Sequence, residues 1–271
     1  MRIALAQLDP HLGAVEANGE RARAVVDEAR TGGADLVVFP ELYLSGYSLR
    51  SAPRDTSRTV ADVVRMLDLD GDAPAVLLGF HERDGTQTYN SAVYVEGGRV
   101  VHVQRKLYPV EYPPFDEVSL YARGGELRAF GTPWCDAAVL ICNDCWQPVL
   151  PFIAVHDGAR LLLAPSSSST AAPEAEPYWR ELTRFYARML QCHVVFANRV
   201  GAEGDFAFWG GSHVADPAGE VVAEAPRCEE ALLFAEVDLR AADALRRRLP
   251  LVGDPRLDLL RAELDRLARA E

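Results

Sequence analysis

Ala137-Ala138-Val139-Leu140-Ile141-Cys142-Asn143-Asp144-Cys145-Trp146 is the stretch on which the reading of this 271-residue chain turns. Five apolar residues in succession fit a strand buried on both faces, as in a parallel sheet. The strand ends on a thiol, and helical sequence begins soon after, at Pro148. Leu36-Val37-Val38-Phe39-Pro40 has the same form and ends on Glu41. Carboxyl ends of strands are where α/β sheets gather ligands and reactive groups. A cysteine at such an end, facing a helix start, also receives partial positive charge, which predicts a thiolate.

Outward from these two strands the grammar is α/β. Ile3–Gln7 reads as a first strand. A helix follows with Ala22, Val25, Val26 and Ala29 on one face, closed by Gly32-Gly33. Val60–Leu67 reads as a helix, Ala75–Phe80 as a strand, and Asn90–Glu96 with Arg99–Gln104 as a hairpin around Gly97-Gly98. Lys106 to Gly125 is rich in Pro and Tyr and too irregular for either element. Loops of that length are usually functional. In the second half, Pro148–Asp157 and Pro177–Cys192 read as helices, the latter with Leu182, Phe185, Tyr186 and Met189 sharing a face. Leu161–Ala164 and Val194–Ala197 read as strands. Ser212–Asp216, Glu220–Ala225 and Leu232–Val237 read as a meander, before a charged helix near Leu239 and a polar, helical tail. The two halves order their elements alike without a linker between them. One domain over residues 1–271, with two packed sheets and helices outside, is the simplest arrangement.

Composition narrows the function. A net charge of −12 disfavours nucleic acid as a partner, and Arg246–Arg248 is too short a basic run to change that. No apolar run approaches the ~20 residues of a membrane span. The N-terminus reads as a strand rather than a signal peptide. Five cysteines in a chain this long do not make a disulfide framework, so a cytoplasmic protein with reduced thiols is expected.

Glu41, Lys106 and Cys142 each follow a strand, and their chemistry is coherent. A thiolate attacks an amide, carbamoyl or nitrile carbon to form an acyl-enzyme. A carboxylate moves the proton from thiol to leaving amine and then activates water. A lysine ammonium stabilises the oxyanion. Neither a metal nor an organic cofactor is required. Cys145 competes with Cys142, because Cys142-x-x-Cys145 is formally a dithiol or half a zinc site. No second CxxC or HxxxH completes four zinc ligands, and a dithiol leaves Glu41 and Lys106 unexplained. Ser212, His213 and Asp216 lack a GxSxG elbow, and the latter two share one short strand. Gly210-Gly211 belongs to no GxGxxG phosphate-binding loop.

Val38-Phe39-Pro40-Glu41, Arg105-Lys106-Leu107 and Leu140-Ile141-Cys142-Asn143-Asp144 resemble the three signature segments of the nitrilase superfamily of carbon–nitrogen hydrolases. Ser45-Gly46-Tyr47, Phe115-Asp116-Glu117, Ala197 to Gly201, Trp209 to Ser212 and Asp216 to Gly219 agree in order. The resemblance implies a four-layer αββα sandwich, two mixed sheets with helices outside, pairing into a homodimer or higher oligomer. It implies Glu41 as general base, Lys106 and the Asn143 N–H as oxyanion donors, Cys142 as nucleophile and Glu117 as a supporting acid/base. Tyr47, Tyr112, Asn143, Trp146 and Ser166 are the expected substrate-binding residues, with core packing the alternative for the aromatics.

Cys-Asn-Asp is similar to carbamoyl-amino-acid amidohydrolases, but Cys145 and Trp146 stand where their paired arginines would be. The bidentate fork that holds a carboxylate is therefore missing there. Cys-x-Asp-x-Trp looks like the glutaminase-type and ω-amide branches. A small linear amide or carbamoyl amine is the expected substrate. A nitrilase, an acyl-transferring member or a catalytically silent binding homologue are the alternatives. Lys106→Ala and Glu41→Gln are expected to fold normally and lose at least ~100-fold in rate.

Overall fold

The computed structural model describes residues 1–51, 55–172 and 174–269. Its first half runs β1 (Arg2–Gln7), α1 (Val15–Thr31), β2 (Leu36–Val38), α2 (Val60–Leu67), β3 (Ala75–Asp84), β4 (Gln87–Glu96) and β5 (Arg99–Arg105). The second runs β6 (Phe130–Gly131), β7 (Asp136–Val139), α3 (Val149–His156), β8 (Leu161–Ser166), α4 (Ala175–Leu190) and β9 (His193–Asn198). Then come β10 (Val200–Glu203), β11 (Phe206–Trp209), β12 (His213–Ala215), β13 (Val221–Glu224), β14 (Ala231–Glu236), α5 (Leu239–Arg248) and α6 (Leu257–Ala268).

The strand order is β14-β1-β2-β3-β4-β5 in one six-stranded sheet and β13-β12-β9-β8-β7-β6 in the other, with β10 and β11 paired as a separate two-stranded ribbon. Each sheet has three parallel strands at its centre, β1-β2-β3 and β7-β8-β9. One antiparallel strand flanks them on one side, β14 or β6. Two flank them on the other, β4-β5 or β12-β13. The sheets thus repeat one pattern of strand order and direction, and the carboxyl ends of β2 and β8 occupy equivalent positions. Glu41 follows the first of these ends and Ser167 the second.

Alternating side chains sort the core into layers. Ile3, Leu5, Leu36, Val38 and Leu77 meet Val139, Ile141, Leu161, Leu163 and Val195 between the sheets. The outer face of the first sheet packs on Ala22, Val25, Val26 and Ala29 of α1 and on Val63 and Leu67 of α2. That of the second packs on Leu150 and Ala154 of α3 and Trp179 and Tyr186 of α4. The result is a four-layer αββα sandwich. Among the described residues no helix is long and apolar enough to cross a membrane.

Two expectations need correction. The inward stripe of α4 is Ala175, Trp179, Thr183, Tyr186 and Ala187, whereas Phe185 and Met189 are exposed. Thr183 disguised the stripe: its buried hydroxyl donates to Trp179 O and pairs with His213 Nε2, which satisfies it inside the core. The meander stops at β13, because β14 crosses to pair with β1 in the other sheet. The Gln7 amide donates to Pro226 O and Glu229 O at that crossing, and β14 covers what would otherwise be an open edge. Arg246–Arg248 form the last turn of α5, with Arg247 and Arg248 exposed, while Arg246 donates to Leu190 O and Gln191 O at the end of α4.

Candidate active site

Glu41 leaves β2 through Pro40 and is buried. The backbone there runs so close to β3 that a Cβ on Gly79 would lie 2.3 Å from Pro40 O and 2.5 Å from Leu42 N. Only glycine fits. Leu42 itself takes φ +51°, a left-handed conformation that a β-carbon disfavours. Glu41 Oε1 accepts from Lys106 Nζ at 2.6 Å and from Asn90 Nδ2 at 2.8 Å. Its Oε2 accepts from Ser167 N at 2.8 Å, and the Ser167 hydroxyl donates to Glu41 O.

Lys106 follows β5 and is pinned by its backbone: its N–H donates to Asn90 O, and Gly124 N donates to its carbonyl. The side chain is fully buried, with Glu41 on one side at 2.6 Å and the two oxygens of Glu117 on the other at 2.7 and 2.8 Å. Burial works against its charge, but Glu117 and Glu41 outweigh it and hold the ammonium well above the usual lysine range. Glu117 is held by Tyr47 Oη, which donates to Oε1 at 2.7 Å, and by Val110 N, which donates to Oε2 at 3.0 Å. Burial pushes its carboxyl up, against the pull of Lys106.

Cys142 opens a single 3₁₀ turn, Cys142–Trp146, with φ +46°. Asp144 in that turn is fully buried and accepts from Leu107 N, Tyr108 N and Ile141 N at 3.0, 2.9 and 3.1 Å. One carboxylate therefore ties the residues after Lys106 to the strand end before Cys142. The sulfur lies close enough to Glu41 and Lys106 for both charges to act on it. Burial pushes the thiol well up and the Glu41 carboxylate adds to this; Lys106 and the Ser167 N–H oppose them and lose. The balance runs against the expected thiolate: burial and the Glu41 charge favour the protonated sulfur over what one short turn and Lys106 supply.

A narrow pocket of about 30 Å³ reaches Cys142, lined also by Tyr47, Tyr112, Phe115, Asn143, Trp146 and Ser167 to Ser169. Tyr47, Tyr112, Phe115 and Trp146 give this narrow space aromatic walls. Tyr112 is half exposed at the mouth. The Asn143 side chain donates to Tyr108 O, and the Trp146 ring packs edge-on against Trp179. Four of the five expected binding residues line this pocket. Ser166 does not: its hydroxyl turns back onto Ala164 O inside the sheet, and Ser167 takes the position facing Glu41.

The rival readings lack geometry. Cys145 is buried with its sulfur toward Leu140 O at 3.6 Å. Ser212 Oγ donates to Asn198 O, while His213 bonds Thr183 and Gly211 O. Among the described residues, no group of three or more His, Cys, Asp or Glu side chains is arranged to hold a metal ion. Sequence reasoning missed Asn90, Ser167 and the anchoring role of Asp144. Asn90 carried a faint signal as a polar residue opening a strand otherwise bound for the core.

Residues 2–247 match the carbon-nitrogen hydrolase family. The chain is 32% identical over 250 residues to a glutamine-dependent NAD(+) synthetase from Thermotoga maritima, covering 88% of this chain and 42% of that one. It thus spans less than half the length of that relative. It is 28% identical over 274 residues to the omega-amidase NIT2 of Homo sapiens, covering 97% and 98% of the two chains. A carbon-nitrogen hydrolase structure from Helicobacter pylori G27 shares the fold with a TM-score of 0.89, at 24% identity over 97% of this chain and 98% of that one. On the extent of the family match, the chain belongs to the carbon-nitrogen hydrolases of the nitrilase superfamily.

Proposed function

We propose that this chain is a cysteine-dependent amidohydrolase that cleaves a small linear amide or carbamoyl amine through a thioester. The observation that carries the reading is a buried lysine held by two carboxylates beside the Cys142 sulfur. Glu41 takes the Cys142 proton as the sulfur attacks the carbonyl carbon. The oxyanion forms against Lys106 Nζ and the Asn143 N–H, one of the first N–H groups of a helical turn, which have no acceptor within the turn. Glu41 returns the proton to the departing nitrogen, releasing ammonia or an amine. It then deprotonates water, which attacks the thioester, frees the acid and restores the thiol. Glu117 keeps Lys106 charged and aimed, supported by Tyr47 and Val110 N–H.

The names of the relatives favour a carboxamide over a nitrile: one is an omega-amidase, another glutamine-dependent. Pairing into a homodimer is part of the same proposal, supported by apolar side chains left exposed on the outward faces of α3 and α4. Five free cysteines suit a reducing compartment such as the cytoplasm. The test is ammonia release across propionamide, succinamate, glutamine, N-carbamoyl-β-alanine and propionitrile. Turnover of an amide or carbamoyl amine, lost in Cys142→Ala, supports the reading. Turnover of the nitrile alone, or of nothing, overturns it.

A further inference from the structure

Glu203 ends β10, far from the signature segments, yet its carboxylate reaches the wall of the pocket. Oε2 accepts from Tyr47 N at 2.9 Å and Ser48 N at 2.7 Å, so one buried oxygen holds both amides of the segment after Gly46. Oε1 accepts from Arg199 Nη1, and Arg199 is fully buried with Asp9 as its second partner. The Arg199 guanidinium stacks 4.1 Å over Phe208, whose ring packs edge-on against Tyr47. Gly46 is cut to fit: it takes φ +78°, and a Cβ there would lie 2.7 Å from Glu203 Oε1. Gly201 clears Asp9 in the same way, with a Cβ falling 2.0 Å from its carboxylate. At both positions the missing Cβ lets a charged group approach the backbone.

The anchor leads to the reacting groups through Tyr47. Its hydroxyl donates to Glu117 Oε1, the oxygen that also accepts from Lys106 Nζ. On the far side, Tyr47, Glu117 and Glu203 line a second cavity of about 260 Å³. Tyr47 therefore stands between two spaces, with Phe115, Phe206 and Phe208 edge-on against its ring and Glu203 fixing its backbone. A buried carboxylate that accepts two backbone N–H groups and pairs with a buried arginine is a stiff mount.

We infer that Glu203, braced by Arg199, is a positioning residue that sets Tyr47 and, through its hydroxyl, the Glu117–Lys106 pair. This rests on the amidohydrolase proposal, since it assigns a role within that site. Misplacing a reacting group by a fraction of an ångström through such a route costs rate rather than ground-state affinity.

A double-mutant cycle tests it on whichever amide the wild type hydrolyses, at a temperature where every variant is folded. Glu203→Gln and Tyr47→Phe are each expected to lower kcat at least ~10-fold with KM within about twofold. The double variant should be no slower than the slower single within about threefold, because both act through one route. Glu203→Asp keeps the charge for Arg199 but withdraws from the Tyr47 and Ser48 amides; it should give an intermediate loss and decides the matter if Glu203→Gln does not fold. Wild-type kcat in the Glu203 variant that folds, or losses that multiply, would overturn the inference. Retained turnover in Cys142→Ala would instead strike the amidohydrolase reading itself.

Discussion

Lys106 Nζ lies 2.6 Å from Glu41 Oε1 at a point where neither side chain is exposed. The same ammonium meets Glu117 on its other side, so one cation serves two buried carboxylates. Such clusters are retained only where the geometry satisfies each charge, since desolvation costs several kcal/mol per ion. Here Asn90, Ser167 N, Tyr47 and Val110 N supply the remaining bonds.

Lys106→Ala is therefore predicted not to fold normally, contrary to the expectation from sequence. It leaves two carboxylates facing each other, at a cost of about 3–5 kcal/mol. Differential scanning calorimetry should register a fall in Tm of roughly 10 °C. The deficit should shrink toward pH 5. With the cation gone, one carboxyl has a raised folded-state pKa, so its penalty grows as pH rises through that value and is absent below the unfolded one. An unchanged Tm at pH 8 would contradict the buried pairing.

Glu41→Gln should separate acidity from turnover. The Glu41 charge helps keep the Cys142 thiol protonated, so its removal lowers the Cys142 pKa. Thiolate absorbance near 240 nm, taken as a difference against Cys142→Ala, should appear at lower pH in Glu41→Gln than in wild type. Turnover should still fall at least ~100-fold, as for a lost general base. A wild-type Cys142 already ionised at pH 7 would refute a protonated resting sulfur.

Asp144→Asn tests the tie between the Lys106 and Cys142 segments. The amide offers one oxygen for Leu107 N and Tyr108 N but sets an N–H₂ against Ile141 N–H. A lost buried acceptor costs about 1–3 kcal/mol. Steady-state kinetics should give a kcat reduced at least ~10-fold with little change in KM, as separation of the two segments demands. Wild-type kcat would show that other contacts fix them.

Phe185→Glu tests the proposed dimer. Phe185, Met189 and Tyr178 project from α4, beside Val149 and Ile153 of α3. Multi-angle light scattering should find the wild type as a dimer or larger and the variant shifted toward monomer. A monomeric wild type, or an unaffected assembly, would remove these helices from any interface.

The strands that carry Glu41 and Cys142 were legible because both are uninterrupted apolar runs ending on a reactive side chain. Periodicity failed where a satisfied polar group sat in the core, as Thr183 does in α4. It also failed where distant chain decided the pairing, as with β14 returning to β1. Within the site, residue type revealed the carboxylate, ammonium and thiol, but not their supports. Ser167 and Ser166 are chemically identical neighbours in a serine run, and the strand's alternation alone decides which faces Glu41. Glu203 looks like any hairpin carboxylate until Tyr47, 156 residues away, is brought beside it. The thiolate expectation weighed a helix start but not the burial and charge that oppose it.

Intact mass spectrometry during hydrolysis of a turned-over amide addresses the central assignment most directly. Wild type should carry a covalent adduct equal to the acyl group, mapped to Cys142 and absent from Cys142→Ala, which should also release no ammonia. Full turnover in Cys142→Ala, with adduct and activity lost in Cys145→Ala instead, would contradict it.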